Sequence, residues 1–379
     1  MQSGPSASWD LAGRLHVRSE GLDPAQQRAV TAELDPFEPG PPNGSEPDLL
    51  LGRLARPELV EVQGPAKDRL TTAVDRDGRL LARYGGHWIQ VPAPRTTPVH
   101  LHLEPGLAVR SCWRELVRPA AHQALRATGS VALHGAAVDD AGEATVISGW
   151  SETGKTEVAL AMVEAGAHFL SDKWTVAGVD GQVSAFPVGV GVRGWVLPAL
   201  PTLRASLPPR ARLRLGAARA ARVTALPALD RARGVRVLAR GSGLAAHAVE
   251  LGDRAGLSPS ELRTVYGQSD DPGRRSRLST LVVLLTGADD RVRAEEAPPE
   301  WAAQRLARTA AYERRTYYDL QERGAYAGLP GRAGARDAAV AEEESFLTAL
   351  LDGGVRVLRV TCPFPGDPRR VAEAVAALR

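Results

Sequence analysis

"ISGWSETGKTE", Ile147 to Glu157, is the stretch on which the reading of this chain turns. Gly149 to Thr156 satisfies the spacing GxxxxGK[ST], the pattern of a loop that wraps phosphate. Gly149 and Gly154 let the backbone turn its N–H groups inward, and a helix starting at the end of the loop adds the positive end of its dipole. Gly149, Ser151, Thr153, Gly154, Lys155 and Thr156 are thus the candidate nucleotide-binding residues. Lys155 is the point charge for the β- and γ-phosphates, and the Thr156 hydroxyl is suited to hold Mg2+.

That spacing carries chemistry only between a strand and a helix. Upstream, "VALHGAAV" and "ATVISG" are strand-like and flank the tight turn "DDAGE", which predicts a hairpin whose second strand runs into the loop. Downstream, "TEVALAMVEAGAHF" repeats apolar residues at helical spacing, and "HFLSDKWTVAGV" returns as a strand. Asp172, at the end of that returning strand, can lie across from a terminal phosphate, where it binds Mg2+ or accepts a proton from an attacking hydroxyl. An aspartate capping a turn is the competing reading. Lys173 is either a solvent lysine or a cation for phosphate or substrate. His134 stands on the first hairpin strand, and its partner strand leads into the loop.

Farther out, "RDGR" (Arg76 to Arg79) predicts a hairpin turn, and residues 48 to 104 read as a mainly β module after the loop "PFEPGPPNGSEP". Residues 108 to 127 predict a helix interrupted near Pro119. "RLSTLVVLLTGA" predicts a buried strand, and 299 to 327 is helical. The end reads as helix, strand, Pro-rich turn and helix, with "TCPFPGDP" as a helix entry or an interaction turn. Residues 188 to 257 show no clear pattern. The division this suggests is 1–104, a mainly β module with a flexible start, and 105–379, a nucleotide-binding domain with a C-terminal extension.

Composition narrows the function classes. A 379-residue chain with 44% hydrophobic residues is long and apolar enough to bury a core. Two cysteines, Cys112 and Cys362, make no disulfide framework or zinc spacing. A net charge of +3 with dispersed arginine argues against a nucleic-acid partner, and the Arg-rich stretch 208 to 240 reads as a solvated face. Of the 47 basic residues only Lys67, Lys155 and Lys173 are lysines, and two of these fall in the loop region. The start has no basic segment leading into an apolar run, and no stretch approaches about 20 apolar residues, so the expectation is a cytoplasmic protein with no membrane partner.

Taken together, "VALHG" with His134, "GWSETGKTE" with Lys155, Thr156 and Glu157, and "GAHFLSDKW" with Asp172 resemble the catalytic domain of HPr kinase/phosphorylase. That bacterial serine kinase has a fold related to phosphoenolpyruvate carboxykinase, and the resemblance runs from about Ser130 to Val179. It implies an α/β (α+β) fold with such a core and an ATP- or GTP-using, Mg2+-dependent phosphotransferase. By this resemblance the loop and Lys155 bind the phosphates, and Thr156, Glu157 and Asp172 serve the metal. His134 approaches the phosphate, and Asp172 activates the acceptor hydroxyl. The family's paired Asp-Asp is Asp172-Lys173 here, so the metal is held differently or Lys173 replaces part of the charge. Arg193 is a candidate substrate-side arginine. The broader group includes kinases of ribosomally made peptides and oligomeric enzymes, which implies a peptide or small-molecule acceptor with a hydroxyl and admits a homo-oligomer. Two other readings stay open: a nucleotide-binding regulator that has lost the chemistry, and a carboxykinase-like lyase.

Overall fold

A computed structural model describes residues 6–42, 44–65, 70–218 and 253–378. Its architecture is α+β, with two large mixed sheets and helices packed on both faces of the second.

The first sheet begins earlier than the pattern of residues 48 to 104 suggests. Strands β1 (Ala7–Leu11) and β2 (Leu15–Glu20) form a hairpin, followed by helix α1 (Pro24–Leu34). Asp23 starts α1 with a capping box: its carboxylate accepts from the N–H groups of Ala25 and Gln26, and the Gln26 side chain accepts from the Asp23 N–H. Strands β3 (Leu49–Arg53), β4 (Leu59–Gln63), β5 (Thr71–Asp75), β6 (Leu80–Tyr84), β7 (His87–Gln90) and β8 (Val99–Leu103) complete the sheet in the order β1-β2-β3-β8-β7-β6-β5-β4. The expected turn joins β5 to β6, with Gly78 at φ 75°.

The helical stretch that follows is broken as Pro119 requires. Helix α2 (Val109–Cys112) gives way to one π turn over Trp113–Val117, where the Arg118 N–H donates to the Trp113 carbonyl, before α3 (Arg118–Ala127). Proline has no N–H to give to the preceding turn, and the wider π turn absorbs the misfit.

The second sheet builds the site. Strands β9 (Ser130–Asp140) and β10 (Glu143–Gly149) form the expected hairpin, with Ala141 and Gly142 at φ 53° and 92° in its turn. Helix α4 (Lys155–Glu164) follows the loop. The segment predicted as one strand is two, β11 (His168–Ser171) and β12 (Trp174–Gly178), both antiparallel to β9. After β13 (Gln182–Ala185), the unpatterned region supplies β14 (Val190–Arg193), a short 3-10 turn, α5 (Pro201–Ser206) and β15 (Arg254–Leu257). Most of the Arg-rich stretch, residues 219 to 240, lies outside the described residues, as does Lys67.

Next come α6 (Pro259–Val265), β16 (Arg275–Thr286), β17 (Arg293–Glu296), α7 (Pro299–Glu313), α8 (Arg315–Tyr326), α9 (Ala335–Asp352), β18 (Arg356–Cys362) and α10 (Pro368–Ala376). The helical run 299 to 327 is thus two helices that part at Arg314. Strand β16 lies parallel to both β10 and β18. Its side chains alternate as a strand buried on both faces requires: Val282 and Leu284 join the core under α4 and α10, whereas Leu281 and Val283 join the core under α7 and α9. A third core ties the two sheets together, with Trp9, Leu51 and Ile89 of the first packed alongside Trp113, Leu116, Trp174 and Tyr317.

Helices α3, α7 and α9 are joined by a buried ion pair. Arg314 donates to both carboxylate oxygens of Glu343 at 2.5 and 2.6 Å, and Arg126 adds a bond of 3.0 Å. Glu343→Gln leaves the enclosed Arg314 without its counter-charge, while Arg126 keeps Glu342 at 3.8 Å, and should cost about 3 kcal/mol or more. The unfolding midpoint in urea measures this loss, and an unchanged midpoint refutes it.

Candidate functional site: a phosphate loop over a basic cleft

The loop leaves β10 where that strand pairs with β16, and two glycines are required there. A Cβ on Gly149, at φ 149°, would lie 2.6 Å from the Leu284 carbonyl oxygen and 2.8 Å from the Thr153 hydroxyl. Gly154 opens α4 at φ 94°, and a Cβ there would meet the Phe364 ring at 3.4 Å. Both positions use conformations that glycine alone reaches cheaply. Glu152, at φ 59°, is held by Arg193 at 2.8 Å. Arg193, which also lines the cleft, therefore braces the loop through Glu152. Thr153 is buried and its hydroxyl donates to the Trp150 carbonyl at 2.9 Å, so its side chain closes the loop's own turn. Trp150 is half exposed and stacks on Tyr312, with ring centroids 4.6 Å apart.

Lys155 folds back over the loop and donates to the carbonyls of Gly149 at 3.1 Å and Trp150 at 2.7 Å. Burial pushes its ammonium down to about 8, against the opposing pull of Glu313, Asp172 and Glu157. Thr156 donates to Asp172 Oδ1 at 2.7 Å. The loop hydroxyl and the strand-end carboxylate, 16 residues apart, thus meet at the floor of the site.

Asp172 and Lys173 occupy the break between β11 and β12. The Trp174 N–H donates to the Asp172 carbonyl at 2.7 Å across a single residue, and Lys173 has φ 61°. This is the rarer, strained form of the γ-turn, and a non-glycine residue held left-handed costs about 1 kcal/mol. The turn sends neighbouring side chains to different places: Asp172 into the interior, 2% exposed, and Lys173 onto the cleft wall. Burial raises the Asp172 carboxyl above the usual carboxylate range although Lys173 and the Thr156 hydroxyl oppose it, and Oδ2 has no partner. Glu157, buried beside it, is likewise raised by burial. His134 pairs in register with Trp174, its ring 5.1 Å away. Burial first, then the nearby Lys155 charge, push His134 down to about 3, so it is a neutral imidazole at physiological pH.

These groups line a cleft of about 340 Å³, with His134, Ser151, Gly154, Lys155, Thr156 and Glu157 on its walls and Asp172 beneath Thr156. Of the residues expected at the site, Gly149 and Thr153 lie in the loop but are not on the cleft's walls. The sequence reading missed Arg114 and Arg118 on the irregular helix, Arg254 on β15, Glu313 at the end of α7, and Phe364. Phe364 belongs to "TCPFPGDP", where Asp367 does cap α10 by accepting from the Arg369 N–H. Only Pro119 hinted that anything unusual happens near Arg114 and Arg118.

Among the described residues no group of three or more His, Cys, Asp or Glu side chains could cage a metal. The all-oxygen donor set of Thr156, Asp172 and Glu157, two of them buried carboxylates, nevertheless fits a hard cation such as Mg2+. Among the described residues no helix is long and apolar enough to cross a membrane. No family model matches the chain, and no curated protein matches it.

A buried carboxyl with a raised pKa destabilises the fold as pH climbs from the unfolded value, about 3.9, through the folded one. Asp172→Asn removes that penalty and can keep the Thr156 bond. It should leave Tm at neutral pH unchanged or higher by a few degrees, about 1–4 °C. A thermal melt that drops well below wild type would show the carboxylate to be net stabilising.

Proposed function

We propose that the chain is an HPr-kinase-like phosphotransferase with a carboxykinase-like core, which uses ATP or GTP to phosphorylate a hydroxyl on a peptide or small metabolite. The observation that carries this reading is the 2.7 Å bond between Thr156 and Asp172, because it joins the loop to the one strand-end carboxylate the chemistry needs. The loop N–H groups and Lys155 take the donor's phosphates once Lys155 exchanges the carbonyls of Gly149 and Trp150 for phosphate oxygens. Thr156 and Glu157, with Asp172 through Oδ1, would hold Mg2+, which would supply positive charge to the donor's phosphates and leave Asp172 Oδ2 to the acceptor.

In the transfer, the acceptor oxygen bonds to the γ-phosphorus, and the bond from that phosphorus to the β–γ bridging oxygen breaks. The nucleoside diphosphate leaves with the electron pair, and Asp172 Oδ2 receives the hydroxyl proton. Burial makes Asp172 a stronger base than an ordinary aspartate, which suits a proton that leaves late in a loose transition state. His134, being neutral, offers a hydrogen bond and no charge.

Incubation with γ-labelled ATP or GTP, Mg2+ and a peptide and metabolite extract, read by mass spectrometry, tests the proposal. A phosphorylated species made by wild type and not by Asp172→Asn is the expected result. Nucleotide binding with no transfer to any acceptor would make the chain a nucleotide-responsive regulator instead. Lys155→Ala should weaken nucleotide binding by about tenfold or more, whereas Asp172→Asn should keep the affinity and lose about 10²–10⁴ in turnover. Because the free Lys155 ammonium titrates near pH 8, nucleotide affinity should decline as pH rises through about 8, with proton uptake on binding above it. Calorimetry in buffers of different ionisation enthalpy measures that uptake, and its absence would place Lys155 outside the phosphate site.

A further inference from the structure

Opposite the loop, the cleft wall carries four cations that the transfer chemistry leaves unused: Arg114, Arg118, Lys173 and Arg254. They are presented by three backbone devices. Arg114 lies within the π turn and Arg118 ends it, Lys173 is the centre of the γ-turn, and Arg254 opens β15. Isolated π turns and left-handed non-glycine residues are costly, and they concentrate where a side chain must be aimed. None of the four makes an ion pair among the described residues, and Arg118 Nε is buried without a partner. Lys173 makes one long bond, 3.4 Å, to the Gly189 carbonyl. Across the β14–β15 pair, Arg254 faces Arg193, whose charge is already taken by Glu152.

The four are close enough to feel one another. All four line the same cleft, and Arg118, Lys173 and Arg254 also share a second groove. Four cations on one wall, none in an ion pair among the described residues and only partly offset by Glu33 and Glu313, repel one another, and an anion that occupies the wall relieves the repulsion.

That anion is distinct from the donor's phosphates. A second groove of about 510 Å³ starts from Arg118, Lys173 and Arg254 and runs along β14 and β15 without touching any loop residue. Its carboxylates are Glu33, which lies 3.7 Å from Arg110 and also acts on Arg118, and Asp35.

We infer that Arg114, Arg118, Lys173 and Arg254 form an acceptor-side subsite for a compact oxyanion, so that the acceptor carries a carboxylate or phosphate group beside the hydroxyl that is phosphorylated. Arginine forks suit planar or tetrahedral oxyanions through paired N–H donors, and Lys173 adds a point charge next to Asp172. The inference rests on the kinase reading for the word acceptor, but the anion site itself does not.

The test is calorimetric titration of the full chain, saturated with Mg2+ and a non-hydrolysable ATP analogue, with inorganic phosphate and separately with acetate. Phosphate should bind the nucleotide-loaded protein, and Arg118→Gln and Arg254→Gln should each weaken it about tenfold while changing analogue affinity less than about threefold. Binding of acetate as well as phosphate indicates a carboxylate acceptor, and binding of phosphate alone a phosphorylated one. No anion binding to the loaded protein, or binding that survives both substitutions, overturns the subsite. If the analogue itself fails to bind, the kinase reading falls. Titration of phosphate into Lys155→Ala, with and without Arg118→Gln, then still decides the anion site: a tenfold difference supports it and equal binding rejects it.

Discussion

The parallel pairing of β10 with β16 is the constraint from which the site follows. Gly149 lies opposite Leu284, so close that a single methyl group would strike the Leu284 carbonyl oxygen. The loop can leave the sheet there only because that position is bare. The same β16 divides its alternate side chains between two cores, which fixes α4 on one face and α7 and α9 on the other. Loop direction, helix dipole and the position of Asp172 are therefore consequences of one strand register. A slip of one residue would turn Val282 and Leu284 to the wrong face as well as misplace the loop.

Two departures from regular backbone then shape what the loop faces. The π turn at Trp113–Val117 and the γ-turn at Lys173 lie on different elements, yet both open onto the same cleft. Each costs local free energy that the surrounding packing must offset, and the packing is there. Trp174, directly after the γ-turn, is stacked against His122 and His134 at 4.4 and 5.1 Å. The irregular turns are thus clamped by aromatic contacts and do not relax into the strand and helix that their sequences would otherwise form.

This explains which parts of the molecule could be read from residues alone. The loop, its flanking hairpin and helix, and the buried strand β16 declare themselves through glycine spacing and apolar periodicity, because local chemistry and tertiary role agree there. The pairing of Thr156 with Asp172 was legible as a spacing of motifs, though not as a bond. The break at Asp172-Lys173 was not legible, since no glycine or asparagine marks it and the apolar run on either side reads as one strand. The β1–β2 hairpin escaped because it joins the rest of the sheet only where β2 pairs with β3, some thirty residues later, and long-range pairing leaves little trace in a local window. Arg114, Arg118 and Arg254 were hidden by abundance: in a chain whose cations are nearly all arginine, three more carry no signal until the fold gathers them.

The core that joins the two sheets gives the first hundred residues a standing that their distance from the loop does not suggest. Trp9, Leu51 and Ile89 bury the same face as Trp113, Trp174 and Tyr317, and Arg332 reaches across to the carbonyls of Val91 and Pro92. Trp174 also backs His134 and follows the turn that aims Lys173. A shortened chain beginning near residue 105 would bare this aromatic face and loosen the wall of the cleft itself. The N-terminal sheet is accordingly not an accessory that could be exchanged among relatives by simple gene fusion. Any recombination that preserved the loop would have to carry the sheet along with it.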